Sequence, residues 1–159
     1  MRILYNTSGT YLTAAMVENK SIELEIDGQV ILINHFITDC KTYYHETENI
    51  FVADFLAAFL NSPEIDKLIK PMQSRGLWGP RDIHKKVFDL PIPQFDPGKT
   101  EHRQLAEMGE KCRRKVQEWQ AEPQNSKGTS IGAVRSKVRM FLKDELNEIN
   151  QLVKQILAN

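Results

Sequence analysis

Between positions 73 and 86 the chain gathers Arg75, Arg81, Lys85 and Lys86 around Trp78 and His84, a set of side chains able to hold an anion or a planar base. An arginine fork can grip a phosphate or the O6/N7 edge of guanine with two hydrogen bonds. A lysine adds point charge along a phosphate backbone, and a tryptophan can stack or wedge against bases. The local charge favours such a use. Positions 67 to 86 hold six basic residues against Asp82 alone, whereas residues 1 to 62 hold Arg2, Lys20 and Lys41 against eight acids. The whole chain, with 21 basic and 21 acidic residues, is neutral, so its total conceals a basic segment. The same residues admit a structural role, with Arg75 and Arg81 bracing the loop's own carbonyls and Trp78 filling the core. Residue types alone leave both readings open.

Two weaker candidates accompany this loop. The turn Asn6-Thr7-Ser8-Gly9-Thr10 carries short polar side chains that can donate and accept toward bases or phosphates, but its composition is also that of an ordinary hairpin connection. Tyr43, Tyr44 and His45 could face nucleic acid, although aromatics just ahead of an apolar helix more often pack.

Other chemistries find no residues to carry them. His35, His45, His84 and His102 are scattered, without a pair at helical spacing, so no metal site is expected. Cys40 and Cys112 lack a Cys-x-x-Cys partner and read as two buried or half-buried thiols in a reducing cytoplasm. Glu23, Glu25 and Asp27 alternate along a strand, which marks a wet face and not a nuclease centre. There is no glycine-rich nucleotide loop, no Gly-x-Ser-x-Gly elbow and no Asn/Asp-Pro-Pro-Tyr motif. The expectation is therefore no catalytic residue, no cofactor, and no enzymatic activity of the chain alone. No apolar run is long enough to cross a bilayer, and Met1-Arg2 leads into strand-like sequence instead of a signal peptide. The chain reads as cytoplasmic, with no membrane partner.

The elements that must position the basic loop follow from period and punctuation. Ile3 to Tyr5 and Tyr11 to Val17 predict a strand pair, and Ile22 to Ile33 predicts a hairpin turning at Asp27-Gly28. Phe36 to Tyr44 reads as a further strand. Phe51, Val52, Phe55, Leu56, Phe59 and Leu60 then predict a helix apolar nearly all round, packed between the sheet and another element. Ser62 caps a second helix whose first residue is Pro63 and whose apolar positions are Ile65, Leu68, Ile69 and Met72. After the basic loop a short extended run, Val87 to Ile92, is ended by Pro91 and Pro93. All seven prolines fall between positions 63 and 123, so irregular structure concentrates there. From Thr100 a helix carries Leu105, Met108, Cys112, Val116 and Trp119 on one face. Past the break at 123–128, one final helix carries Val134, Val138, Leu142, Leu146, Ile149, Val153 and Ile156. The two predict an intramolecular antiparallel pair, with self-association through the last helix as the second outcome.

Arg2-Ile3-Leu4-Tyr5, Ser8-Gly9-Thr10, Leu60-Asn61-Ser62, Gln73-Ser74-Arg75-Gly76, Pro80-Arg81, Leu90-Pro91-Ile92-Pro93 and Phe95-Asp96-Pro97, followed by His102 and Leu105-Ala106, occur in that order. This series, spanning roughly residues 1 to 120, resembles the target recognition domains of adenine-N6 DNA methyltransferases and restriction-modification enzymes, in particular the TaqI-like C-terminal specificity domain. The resemblance implies sequence-specific binding of double-stranded DNA on behalf of a methyltransferase or restriction subunit or domain. It favours Arg75 and Arg81 as base or phosphate contacts, His84, Lys85 and Lys86 as backbone contacts, and Trp78 as a stacking or core residue. Such domains usually follow a catalytic domain in one long polypeptide, whereas here the numbering starts at the recognition region. A protein-interaction module or remnant whose C-terminal helices dock a partner subunit is the alternative. The fold expected is α+β: a recognition-like domain over residues 1–99, with a mainly antiparallel sheet, core helices and the basic loop, and a C-terminal helical pair over 100–159.

Overall fold

A computed structural model describes residues 1–34, 38, 40–76, 79–80, 82–126 and 130–158. Strand β1 (Arg2–Asn6) lies between β2 (Ala14–Val17) and β5 (Thr42–Glu46), antiparallel to both, with Leu4 opposite Ala15 on one side and Tyr44 on the other. Ile3 and Tyr5 are buried, as the alternation of a pleated strand requires. The fold is α+β, as the sequence predicts.

Strands β3 (Ile22–Ile26) and β4 (Gln29–Ile33) form the expected hairpin as a separate two-stranded sheet. Asp27 and Gly28 take φ of 52° and 77°, the left-handed pair that a two-residue type I′ turn demands and that Asp-Gly tolerates. Helix α1 (Ile50–Asn61) starts at Asn49, whose side-chain oxygen accepts the Phe51 N–H. It packs between the sheet and α3 (Thr100–Ala121), burying Ala53, Phe55, Ala58 and Phe59. Where the two helices cross, a Cβ on Gly109 would stand 2.2 Å from the Asp54 carbonyl oxygen, so only glycine permits this approach. One turn further on, Arg113 donates to both Asp54 carboxylate oxygens at 2.9 Å.

The Leu60-Asn61-Ser62 stretch does three jobs in three residues. Leu60 is buried. The Asn61 amide accepts from Ala14 N–H at 3.1 Å and donates to the Ala14 carbonyl at 2.7 Å, pairing with β2 as a neighbouring strand would. Ser62 caps α2 (Pro63–Ile69) by accepting the Glu64 N–H, and Asn150 from the far end of the chain accepts that same N–H at 2.8 Å.

Two helical segments depart from the sequence reading. Val87 does not begin an extended run: His84–Asp89 is a 3₁₀ helix, and extended backbone starts only at Leu90. The buried residues Ile83, Val87 and Leu90 recur at intervals of four and three, which one face of a tight helix can satisfy and a strand cannot. The final helix is broken at Leu142 into α5 (Ile131–Phe141) and α6 (Lys143–Ala158), with a four-residue helical turn, α4 (Pro123–Ser126), before them. Leu142 and, on α6, Leu146, Ile149 and Val153 are buried, while α5 buries nothing. Helix α6 packs antiparallel on α3 within the chain, Lys115 meeting Glu145, while Phe141 at the end of α5 meets Trp119. A single hydrophobic cluster draws on both sides of position 99, joining Ile3, Phe55 and Ile83 to Leu105, Ile149 and Val153. None of the described helices is long and apolar enough to cross a membrane. Cys40 is exposed instead of buried, and Cys112 is half-buried, its thiol pushed up to about 11, first by burial and then by Glu145.

Candidate nucleic-acid interface

Asn6 ends β1 with its side chain turned onto the following turn. Its amide donates to the carbonyls of Ser8 (2.8 Å) and Tyr11 (3.2 Å), and its oxygen accepts the Thr13 N–H (2.8 Å). Gly9, at φ 147°, is held so close that a Cβ there would lie 3.0 Å from the Asn6 amide. Thr7 is the junction. Its hydroxyl and its N–H both donate to the Lys41 carbonyl, and its own carbonyl accepts the N–H groups of Ile83 (2.8 Å) and His84 (3.0 Å). Asn6 and Thr7 are buried by this work, so their side chains are scaffold, while Ser8 and Thr10 are exposed.

The basic segment is thereby fastened to the first turn of the sheet. Ser8 bridges to Asp82, Gln73 donates to the Gly9 carbonyl at 3.4 Å, and the Lys70 ammonium donates to the Thr10 carbonyl. Asp66 of α2 accepts the Leu12 N–H at 3.0 Å, anchoring the turn's other arm. Ser74 donates to Asp82, closing the loop across its base, and β6 (Arg75–Gly76) pairs with β7 (Gly79–Pro80). Two polar clusters that are 64 positions apart in sequence become one ledge.

Of the residues singled out from the sequence, Arg75 opens β6, and Trp78 and Arg81 lie outside the described residues. His84 and Lys85 are exposed on the first turn of the 3₁₀ helix, and Lys86 is half-buried. His84 has φ 42°, a strained conformation for a residue with a Cβ. The cause is visible in the hydrogen bonds: its N–H and that of Ile83 share the Thr7 carbonyl, while buried Ile83 and Val87 fix the helix behind them. The His84 ring lies 3.7 Å from the Asp82 carboxylate, an attraction that acts when the ring is protonated. Tyr43 packs on Tyr5 with ring centroids 5.7 Å apart, and Tyr44 is exposed with the Arg2 guanidinium 4.6 Å from its ring. No group of three or more histidine, cysteine or acidic side chains placed to hold a metal ion is found among the described residues.

Comparison with protein-family models, curated proteins and solved structures finds no match.

One member of this ledge carries a signal in the sequence itself. An asparagine opening a glycine-containing turn commonly bonds its own backbone, which is what Asn6 does. Thr7, Lys70 and Gln73 had no such signal, because each acts on a segment remote in sequence. Downstream, Asp96 and His102 hold the chain leaving the ledge: the His102 Nδ1 accepts the Asp96 N–H at 3.0 Å, and Phe95 and His102 both pack on Phe55.

Proposed function

We propose that this chain is a recognition module for double-stranded DNA, acting in the cytoplasm for a methyltransferase or restriction-modification assembly and carrying no catalysis of its own. The observation that carries this reading is the joining of the Asn6–Thr10 turn to the 73–86 segment, which leaves Ser8, Thr10, Ser74, His84 and Lys85 exposed together. A rigid ledge of hydroxyls and cations suits a phosphate backbone, with register set by polar contacts and sequence read by side chains reaching the groove. In this reading Arg75 and Arg81 contact bases or phosphates, His84, Lys85 and Lys86 follow the backbone, and Trp78 stacks.

Arg75→Ala and Arg81→Ala are expected to weaken duplex binding by about 1–3 kcal/mol each while melting temperature holds. Fluorescence anisotropy and circular dichroism on the same preparations measure both quantities. Melting that falls in step with affinity would make these arginines loop braces.

A second reading, a module that docks a protein subunit, is favoured by one observation: one face of the β3–β4 hairpin exposes Ile22, Leu24, Ile26 and Ile31 together, while Val30 and Leu32 lie on the other face opposite Glu25 and Glu23. Binding to random duplex DNA at low salt, compared with binding to a methyltransferase or restriction subunit, separates the two.

A further inference from the structure

Strand β2 and helices α1, α3, α5 and α6 surround a cavity of about 250 Å³, which among the described residues meets the ledge only through Thr13 on its wall, bonded to Asn6, and through Arg139, which covers Tyr11. Its walls include Met16, Ala57, Val116, Val138 and Leu146. An aliphatic cavity of about 150 Å³ stays dry and accepts benzene, so this one has room for a longer apolar body. The space exists because the chain places small residues where the elements meet, and because α5 spans the gap without burying any residue of its own. That helix is held at two points, by the Arg139 guanidinium 4.3 Å from the Tyr11 ring and by Phe141 beside Trp119 and Lys115.

The polar groups around the cavity are unbalanced in sign. Arg113, Arg135 and Arg139 line it against the single carboxylate of Asp54, and Asp54 is already engaged by Arg113 through two hydrogen bonds. Arg135 and Arg139 lie one helical turn apart on the same face of α5, and neither has a carboxylate partner among the described residues. Thr13, also on the wall, has a buried hydroxyl oxygen with no hydrogen-bond partner among the described residues. Apolar walls with few convergent polar groups and an uncompensated positive rim are complementary to one ligand chemistry.

We propose that this cavity binds an anionic amphiphile, with its alkyl chain between α1 and α5 and its carboxylate or phosphate held by Arg135 and Arg139. The site is independent of DNA binding and stands or falls separately from it.

Calorimetric titration of the intact chain with decanoate, below its micelle concentration, is expected to show saturable one-to-one binding. Decyltrimethylammonium, which has the same chain and the opposite charge, should bind at least tenfold more weakly. The double variant Arg135→Gln/Arg139→Gln should lose at least tenfold in decanoate affinity, whereas Tyr11→Leu, which removes the ring under Arg139 and keeps both charges, should retain it; an equal loss in both variants would assign the effect to the anchoring of α5 and overturn the proposal. Val138→Phe should abolish binding by filling the space, and if that variant fails to fold, the arginine pair decides alone. Flotation with phosphatidylglycerol vesicles distinguishes the source of the anion: vesicle binding lost in the arginine variant assigns a lipid headgroup, and decanoate binding without vesicle binding assigns a free amphiphile. Unsaturable uptake, equal affinity for the cationic analogue, or a double variant that binds decanoate as the parent does would overturn the proposal.

Discussion

The α1–α3 crossing and the β3–β4 hairpin draw on the same apolar vocabulary and put it in opposite environments. At the crossing Phe55, Phe59 and Leu105 are fully buried, and the backbones approach so closely that Gly109 has no room for a side chain. In the hairpin Ile22, Leu24, Ile26, Val30, Ile31 and Leu32 remain 40% to 68% exposed. Alternation and an Asp-Gly turn suffice to pair two strands in register, but burial requires another layer. The helix crossing is made by long-range packing, whereas the hairpin is made by its own turn. The crossing should therefore carry global stability and the hairpin should carry little of it.

The sharpest way to break this contrast is Gly109→Val. Its side chain meets the α1 backbone instead of a flexible neighbour, so the helices must separate, at a cost of about 3 kcal/mol or more. Chemical denaturation measures it, and a loss below about 1 kcal/mol would show that the crossing is loosely packed.

A smaller effect is expected from protonation at the end of the same helix. His102 is buried against Phe55, its Nδ1 accepts the Asp96 N–H, and burial, aided by Lys99, holds its pKa below the ordinary value of 6.5. The native ring resists a proton that the unfolded chain takes up. Its contribution is thus complete above the unfolded value and declines as pH falls through 6.5 toward the lower native value. Thermal melts of the parent and His102→Gln should converge as pH drops through that window, whereas a constant difference would assign His102 to packing alone.

The smallest effect is expected in the hairpin, where Leu24→Thr should change global stability by no more than about 0.5 kcal/mol. A larger loss in denaturant titrations would mean that the hairpin's apolar face is covered in solution.

The sequence was most legible where structure is local. The Ser62 cap, the Asp27-Gly28 turn, the largely apolar α1 and the Leu146-Ile149-Val153 seam each rest on neighbours within a few residues, and each forms where the pattern places it. The break at Leu142 was not legible, because no proline or glycine marks it and the apolar spacing continues through it. The 3₁₀ helix at 84–89 was hidden between prolines that suggest extended chain. At the candidate interface the residue types were legible and the mounting was not. Nothing near Thr7 announces that its carbonyl will hold Ile83 and His84, and nothing near Asn61 announces that it will pair with β2.

The central claim, that the ledge follows a DNA backbone, is tested most directly by the salt dependence of duplex binding. Each phosphate neutralised contributes about 0.9 to the slope of log affinity against log salt. The double variant Lys85→Ala/Lys86→Ala should therefore bind with a slope shallower by about 1 to 2, while Leu24→Thr in the hairpin leaves the slope where it was. Identical slopes for the parent and the lysine variant would contradict the account, since cations that release no counterions do not lie along DNA.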